Sequence, residues 1–378
     1  MVSVLKTIQA ITQKRDISRF QKINRYGVTA KFDKSKHSFF FSTPIYDTQR
    51  SVLIEGRFIP KGNGYFVQGS SAEIFVSDHE INLHTATGKM RIFWKEKQEF
   101  VLCDESRLLR SAEMSIYPTF NGVLVRQAIE NSVTLFFESN LIQEGEVKAN
   151  SKFFAYMKGK YEPFLTLGAM YAENANGQRF YGLNVKVKQE TSRQMRIEIK
   201  SRESNATRCA WEINAYEPKL IQDTTVESNR PTENNVFGNV THLGRSSEYG
   251  TQYLYSRFDF TKLPAESKKN IRKVYWHIPY YAICGQAFEA AMTLKRFCSF
   301  GSRWDNKVAY EKTNIRCYRK NGFVTFDLSE YFLDTSGNLL ERAGIVLRSS
   351  QSDAFGIFAT ADNYFTPQII ELEYQEKE

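Results

Sequence analysis

Residue types that often carry chemistry are sparse and scattered in this sequence of 378 residues. The five histidines lie far apart, and the densest polar group is Asp78-His79-Glu80 with His84. Neighbouring side chains on a strand point to opposite faces, so His79 and Glu80 cannot form one site without a bend. The sequence has no phosphate-binding glycine loop, no nucleophile elbow and no His-Glu-x-x-His motif. We therefore expect no catalytic residues and interpret the histidine group as an exposed loop.

The cysteines show no metal-binding pattern. All five are widely spaced, without a Cys-x-x-Cys pair and without histidines at the spacing of zinc ligands. Because their number is odd and a chain of this length needs no disulfide framework, we expect small buried thiols. The sequence thus predicts no metal and no cofactor.

Aromatic residues are the surplus in the composition, at 14% of the chain with 29 Phe and 20 Tyr. Exposed Trp and Tyr rings can stack on the flat apolar faces of sugars, so some of these residues could bind glycan. Trp304 is the first candidate, because it lies in the polar segment 302–306. Tyr249, Tyr280 and Tyr281 are lesser candidates. The alternative for all four is core packing, where large aromatic side chains are usually found.

Positive charge is concentrated at the N-terminus. Residues 1–36 contain nine Lys or Arg and only two Asp, whereas the whole chain has a net charge of +9. Apolar residues recur there at spacings of three and four, which predicts an amphipathic helix that ends near Gly27. The predicted partner-docking residues are Val4, Ile8, Ile11, Lys14, Arg15, Arg19, Phe20 and Ile23.

Three roles are open for this basic arm. It can dock on a partner protein, it can cap the protein's own core, or it can contact nucleic acid through phosphate neutralisation. Docking and core packing are nearly balanced, because amphipathic helices are mostly packing elements. Nucleic acid is the least favoured of the three. An organellar transit peptide also starts basic and amphipathic, but it fits less well.

Beyond the arm, the sequence has the pattern of strands and turns. Leu183, Val185 and Val187 alternate with polar residues, as in half-buried antiparallel strands. Asn176-Gly177 is a strong hairpin-turn signal, and short β-prone runs recur about every 8–12 residues. We predict an all-β fold of two or three antiparallel β-sandwich, jelly-roll-like domains with a basic helical arm at the N-terminus.

The sequence suggests four segments. They are the arm at 1–36, a β-rich domain at 37–130, a second β-rich region at 131–220 that is separate from or continuous with the first, and a β-sandwich at 221–378. No apolar run is long enough for a transmembrane helix. The N-terminus also lacks the cleavage site of a secretory signal peptide.

Seven blocks of the C-terminal part occur in an order that is similar to a known family. The opening block comprises 223–228, 235–238 and 243–246, and the others are 256–264, 272–277, 304–306, 324–328, 344–350 and 367–374. Together they resemble a DNRLRE-type domain, a bacterial β-sandwich related to some carbohydrate-binding modules. The resemblance implies a structural or binding role and makes Trp304 the tryptophan in the middle of the domain.

The N-terminal half is more loosely similar to the β-rich region that precedes such domains in large bacterial surface proteins with RHS-type repeats. The similarity is carried by the sequence YPTFNGVLVRQAI at 117–129. Asn121 and Leu124 stand there in place of the family's proline and aspartate. The chain departs from those proteins because it contains neither the repeats nor a toxin, so the resemblance implies a scaffold or binding part.

Two functional hypotheses follow. In the first, the protein is a non-enzymatic component of a phage virion or phage-tail-like particle, in its tail, baseplate or capsid. It would dock on other particle proteins through 1–36 and expose its β-sandwiches to surface polysaccharide, where many copies would strengthen a weak glycan contact. Such a chain is made in the bacterial cytoplasm without a signal peptide and leaves by lysis. In the second, it is a cell-surface or wall-associated carbohydrate-binding protein. An enzyme such as a polysaccharide lyase is a third, weaker hypothesis.

Overall fold

The fold is all-β, as predicted, and every strand pair among the described residues is antiparallel. The computed structural model describes residues 20–24, 26–32, 35–43, 46–47, 52–53, 56–68, 72–85, 88–119, 122–130, 132–141, 143–148, 152–157, 163–180, 183–215, 220–232, 235, 240–284, 288–297, 299, 301–349, 354–363 and 366–374. Across those ranges, the few helices are too short or too polar to span a membrane.

The strands are named in chain order. The first five are β1 Gln21–Asn24, β2 Gly27–Phe32, β3 Ser35–Phe41, β4 Tyr46–Asp47 and β5 Val52–Leu53. The next seventeen are β6 Arg57–Lys61, β7 Gly64–Gln68, β8 Glu73–Val76, β9 Glu80–His84, β10 Lys89–Phe93, β11 Val101–Cys103, β12 Leu108–Arg110, β13 Met114–Pro118, β14 Gly122–Ala128, β15 Ser132–Ser139, β16 Gln143–Lys148, β17 Lys152–Met157, β18 Pro163–Asn174, β19 Arg179–Phe180, β20 Asn184–Thr191, β21 Gln194–Lys200 and β22 Ala206–Ala215. The last eleven are β23 Ile221–Glu227, β24 Val240–Ser246, β25 Gly250–Phe258, β26 Ile271–Cys284, β27 Phe288–Thr293, β28 Tyr310–Lys312, β29 Arg316–Lys320, β30 Phe323–Asp327, β31 Ile345–Ser349, β32 Phe355–Ala359 and β33 Ile369–Tyr374. The helical elements are α1 Ser329–Phe332 and the 3₁₀ turns Asp104–Ser106, Phe260–Lys262 and Ala265–Lys268.

The chain divides into two compact units. Unit 1 is made of Met1–Leu53 and Pro218–Glu378, and unit 2 is Ile54–Glu217. Both predicted middle segments, 37–130 and 131–220, contribute strands to unit 2, whereas β3 pairs with β33 inside unit 1.

Unit 2 is a sandwich of two sheets. One has the order β20-β21-β15-β10-β9-β8-β7-β6, and the other has the order β11-β12-β13-β14-β22-β18-β17-β16 with β19 beside β18. Their inward side chains form one apolar core, with Trp211, Phe137 and Phe153 among its largest fully buried members. This core follows from the alternation of apolar and polar residues along each strand.

Among its described residues, unit 1 has one large continuous sheet that folds into two parts at the long strand β26, and a separate two-stranded pair β4-β5. Sheet A has the order β1-β2-β3-β33-β26-β30-β29. Sheet B runs from the end of β26 through β32, β24, β25, β31 and β27 to β28, with β23 also paired to β25. Trp276 of sheet A and Leu254 of sheet B belong to the same buried cluster. The two sheets therefore form a second sandwich.

The helix predicted for the N-terminal arm is wrong over residues 21–24. These residues form β1, which pairs with β2, and β2 pairs in turn with β3. Ladder hydrogen bonds to neighbouring strands satisfy the backbone here, so tertiary pairing overrides the local helical period. The rest of the predicted helix, up to residue 19, lies outside the described residues.

Free thiols are also found, although not all of them are buried. Cys209 is buried, and desolvation raises the pKa of its thiol to about 12. Cys103 is half-buried, whereas Cys284 and Cys317 are exposed. The prediction of buried thiols is therefore wrong for these last two, which lie in strands whose outward positions face solvent.

Candidate functional site

The outer face of sheet B, which points away from the core, brings several predicted glycan-binding residues onto one surface. Leu254 packs in the sandwich core, whereas Tyr253 and Tyr255 belong to a separate cluster on the opposite face. His242 and Phe355 flank core-facing positions on adjacent strands and therefore share that outer face. The sheet thus presents a band of aromatic rings away from its core.

At one side of this face, rings form a column. His242 stacks on Tyr249 at 4.9 Å between centroids and on Phe355 at 6.0 Å. The Arg230 guanidinium lies over the Tyr249 ring at 5.2 Å. Burial lowers the pKa of His242, opposed by the charge of Glu248. Burial also raises the pKa of Tyr249 to about 12, with a further contribution from its hydrogen bond to Glu248. The Tyr249 ring is thus already engaged by its neighbours.

Trp304 forms a second aromatic group on the same face. It is half-buried and packs on the outer cluster that includes Val226 and Val346. Its ring lies 5.1 Å from that of Tyr253, and the Lys307 ammonium lies 4.2 Å over the ring while donating to the Trp304 carbonyl at 3.1 Å. This arrangement holds the loop that contains Trp304 against the sheet.

We expect Trp304→Ala to destabilise unit 1 by about 2 kcal/mol, which is less than the roughly 3–5 kcal/mol for truncating a fully buried aromatic side chain. The reason is that only part of the indole is removed from water. Thermal unfolding of Trp304→Ala measures this loss of stability. Trp304→Phe is the control, because phenylalanine retains most of the contact. An unchanged melting temperature for Trp304→Ala would show that the ring contributes nothing to packing.

Tyr281 is the one candidate that is mainly exposed, with 54% of the residue's surface accessible. It is the extra residue of a bulge, because Tyr280 pairs with Phe358 while Ala282 pairs with the preceding Ile357. A bulge turns a side chain out of the regular alternation. The bulge occurs where β26 passes from sheet A to sheet B.

The hydroxyl of Tyr281 is fixed by a closed ring of hydrogen bonds. Asn363 Nδ2 donates to it at 2.9 Å, and Thr366 Oγ1 donates to Asn363 Oδ1 at 3.0 Å. Because the Thr366 proton is used there, the Tyr281 hydroxyl donates to Thr366 Oγ1 at 2.5 Å. The aromatic ring is therefore held in one orientation while its surface faces solvent.

Tyr280, the remaining predicted glycan-binding residue, belongs to the inner side of the sheet. It packs against the sandwich core, and the Arg319 guanidinium lies 5.4 Å from its ring centroid. Tyr280 packs on the core side while Tyr281 faces solvent, so the two rings do not serve one surface.

Two of the predicted docking residues are within the described part of the chain. Phe20 packs on the cluster of Val28, Phe39 and Phe41 on sheet A, and Ile23 packs on the sandwich core. Both are half-buried against their own unit. The other predicted docking residues, Val4, Ile8, Ile11, Lys14, Arg15 and Arg19, lie outside the described residues.

The Asp78-His79-Glu80 group lies at the turn that leads into β9. His79 Nδ1 is 2.5 Å from Asp78 Oδ1, and this hydrogen bond, aided by Lys97, lowers the pKa of the aspartate. Glu80 Oε2 is 4.0 Å from His79 Nε2. Among the residues that the structure describes, no three His, Cys, Asp or Glu side chains are placed to hold a metal ion. The group is a half-exposed turn.

Sheet A contains a buried polar network that the sequence analysis missed. Glu371 Oε1 is 2.6 Å from His37 Nδ1, and its Oε2 is 2.7 Å from His277 Nε2. The second ring nitrogen of each histidine contacts a hydroxyl: His37 Nε2 lies 2.7 Å from Ser35 Oγ, and His277 Nδ1 lies 2.8 Å from Thr325 Oγ1. Glu371, His277 and His37 are almost fully buried. The network joins β3 to β33, β26 and β30.

Ser35, His37 and Glu371 have the order of a hydrolytic triad, but the serine is not activated. Ser35 Oγ donates to the Phe32 carbonyl at 3.1 Å, so its proton is not available to the imidazole. The carboxylate is also shared with His277. Burial acts to raise the pKa of Glu371, but the hydrogen bonds from His277 and His37 outweigh it and lower the pKa. We therefore interpret the network as structural.

Comparison with known proteins finds no match to any family model and none to a curated protein. Among solved structures, a mutant of a heparan sulfate lyase from Pedobacter heparinus is 10% identical with a TM-score of 0.18. The match covers 68% of this chain and 45% of the lyase chain, so this chain spans less than half of that protein.

Two further solved structures are similar at the same low level. The N-terminal domain of an adhesin from Streptococcus gordonii is 7% identical over 91% of this chain and 85% of that chain, with a TM-score of 0.18. An exo-β-1,3-galactanase from Phanerochaete chrysosporium is 7% identical over 94% and 96% of the two chains, with a TM-score of 0.13. At these TM-scores the likenesses carry no inference about function.

Proposed function

We propose that the protein is a non-enzymatic attachment protein that binds surface polysaccharide through the outer face of sheet B, with Tyr281 as the stacking residue. The supporting observation is the exposed ring of Tyr281, whose hydroxyl is fixed by Asn363 and Thr366. A ring that is already held in place loses little conformational freedom when a sugar stacks on it, so binding costs less.

Co-sedimentation of the intact chain with washed bacterial cell walls tests this function. We expect the chain to pellet with walls that carry its polysaccharide and to be released by the soluble polymer. We also expect the supernatant to contain no shortened polysaccharide, because binding without cleavage is proposed. A chain that stays in the supernatant with every wall preparation, or that releases fragments, contradicts the proposal.

We propose that this attachment protein is a component of a phage virion or phage-tail-like particle, on which it docks through residues 1–36. The basic, acid-poor composition of that segment supports the proposal. A cell-surface or wall-associated carbohydrate-binding protein is the alternative, and the resemblance to DNRLRE-type domains supports a binding part in both settings.

Sedimentation of a native lysate, with mass spectrometry of the fractions, distinguishes the particle from the cell-surface alternative. We expect the chain in a fraction of megadalton size, and we expect the double variant Ile8→Asp, Ile11→Asp to leave that fraction. The variant removes the apolar face of the arm without altering the described residues. Recovery of the wild type only with the cell wall would contradict the particle and favour the alternative.

A further inference from the structure

A polar cleft lies in unit 1 at one end of β23, β24 and β25. Its volume is about 470 Å³. The side chains that line it are Ser228, Asn229, Arg245, Ser246, Ser247 and Thr251. Five of these six are uncharged hydroxyl or amide side chains, and Arg245 is the only charged one. The volume falls within the range of about 300–1,000 Å³ that is typical of ligand sites.

The walls of the cleft are held by hydrogen bonds. Ser228 Oγ accepts from the Thr251 amide at 2.7 Å, and Asn229 Nδ2 donates to the Ser247 carbonyl at 3.1 Å. Gly250 has φ +69°, and a Cβ there would lie 2.1 Å from Ser228 Oγ. The tight approach of the two loops therefore depends on glycine. The cleft is formed before any ligand arrives.

The Arg245 side chain is exposed and makes no hydrogen bond or ion pair with any described residue. The neighbouring Arg230 differs, because it lies 3.8 Å from Glu227 Oε2 and 3.8 Å from Glu248 Oε1. The two carboxylates next to the cleft residues Ser228 and Ser247 are thus engaged by Arg230. This leaves the Arg245 guanidinium as a positive group among hydroxyls, with its donors available to an anion.

We propose that this cleft binds the anionic group of an acidic polysaccharide: a carboxylate, sulfate or phosphate carried on a sugar. A guanidinium presents two parallel donors that match the oxygens of such a group. The surrounding serine and threonine hydroxyls can both donate to and accept from the sugar hydroxyls. This inference rests on the proposed polysaccharide binding and adds the substrate class to it.

The test measures the affinity of the intact chain for polygalacturonate, heparin, a poly(glycerol phosphate) polymer and neutral amylose, which distinguishes the source of the anion. We expect one acidic polymer to bind more tightly than amylose, and Arg245→Ala to weaken it at least ten-fold. Arg245→Lys should recover only part of the affinity, because an ammonium lacks the paired donors. Added salt should reduce the difference between wild type and variant.

The matched control is Arg316→Ala, which removes the same charge from an exposed position on β29. We expect it to leave the affinity unchanged. Equal losses in both variants would show that only net charge matters and would overturn the proposal, as would acidic polymers that bind no better than amylose. If Arg245→Ala binds like wild type while Tyr281→Ala does not bind, the proposed function stands and this inference fails.

Discussion

Replacing Glu371 by glutamine is expected to lower the free energy of unfolding of unit 1 by roughly 3 kcal/mol. The carboxylate accepts hydrogen bonds from His37 and His277 in a site from which water is excluded. The amide of glutamine can accept from one imidazole but presents its own donors to the other. A buried group then loses its partner, and such a loss is costly.

Calorimetric unfolding measures the effect. A unit of about 200 residues loses about 2–4 °C of melting temperature for each kcal/mol, so we expect a drop of roughly 6–12 °C. Glu373→Gln is the matched control on the same strand, since the Glu373 carboxylate pairs with the exposed Arg272 at 3.7 Å. Glu373→Gln should lower the free energy of unfolding by less than about 1 kcal/mol. Similar losses for the two variants would contradict the role assigned to the network.

The same network predicts a dependence of stability on pH. The pKa of Glu371 is lowered in the folded chain from its ordinary value of 4.5. Its stabilising contribution is therefore fully present above pH 4.5 and is lost as the pH falls from there through the folded pKa. The melting temperature of the wild type should decrease in this acid range more steeply than that of Glu371→Gln, which cannot titrate at this position.

The second large effect is expected at Tyr281. We expect Tyr281→Ala to weaken polysaccharide binding by about 2 kcal/mol, or roughly 30-fold, because a central aromatic contact often supplies much of the binding energy. The melting temperature should change little, since the ring is exposed. Titration of the intact chain with its polysaccharide measures the loss.

Asn363→Ala separates the ring itself from the way it is held. This variant removes the donor to the Tyr281 hydroxyl but retains the ring. We expect a smaller loss of affinity, about three- to five-fold, from the added freedom of the side chain. A Tyr281→Ala variant that binds like the wild type would exclude Tyr281 as the stacking residue.

The fold class could be predicted because strands with one buried face alternate apolar and polar residues, as 183–187 and 194–200 do. β1 could not be predicted in this way. Its residues have a helical spacing, and only pairing with β2, which is not visible in the local sequence, makes them a strand. The pairing of β3 with β33 joins residues more than 300 positions apart, and no local pattern reports such a contact.

The candidate site was predictable in residue type but not in orientation. The adjacent Tyr280 and Tyr281 cannot be distinguished from the sequence. The bulge leaves Tyr280 on the core side and turns Tyr281 to solvent. A usable signal did exist for the Glu371 network. A charged residue in the apolar run 369–372 and a histidine between Trp276 and Ile278 must find buried partners, because unpaired polar groups in a core are costly.

Binding of the intact chain to an array of bacterial polysaccharides is the most direct test of the proposed function. We expect the wild type to bind a defined set of glycans, and a folded Tyr281→Ala variant to lose binding to that same set. Absence of binding to every glycan by a folded wild-type chain would contradict it, and so would an unchanged set of bound glycans in the variant.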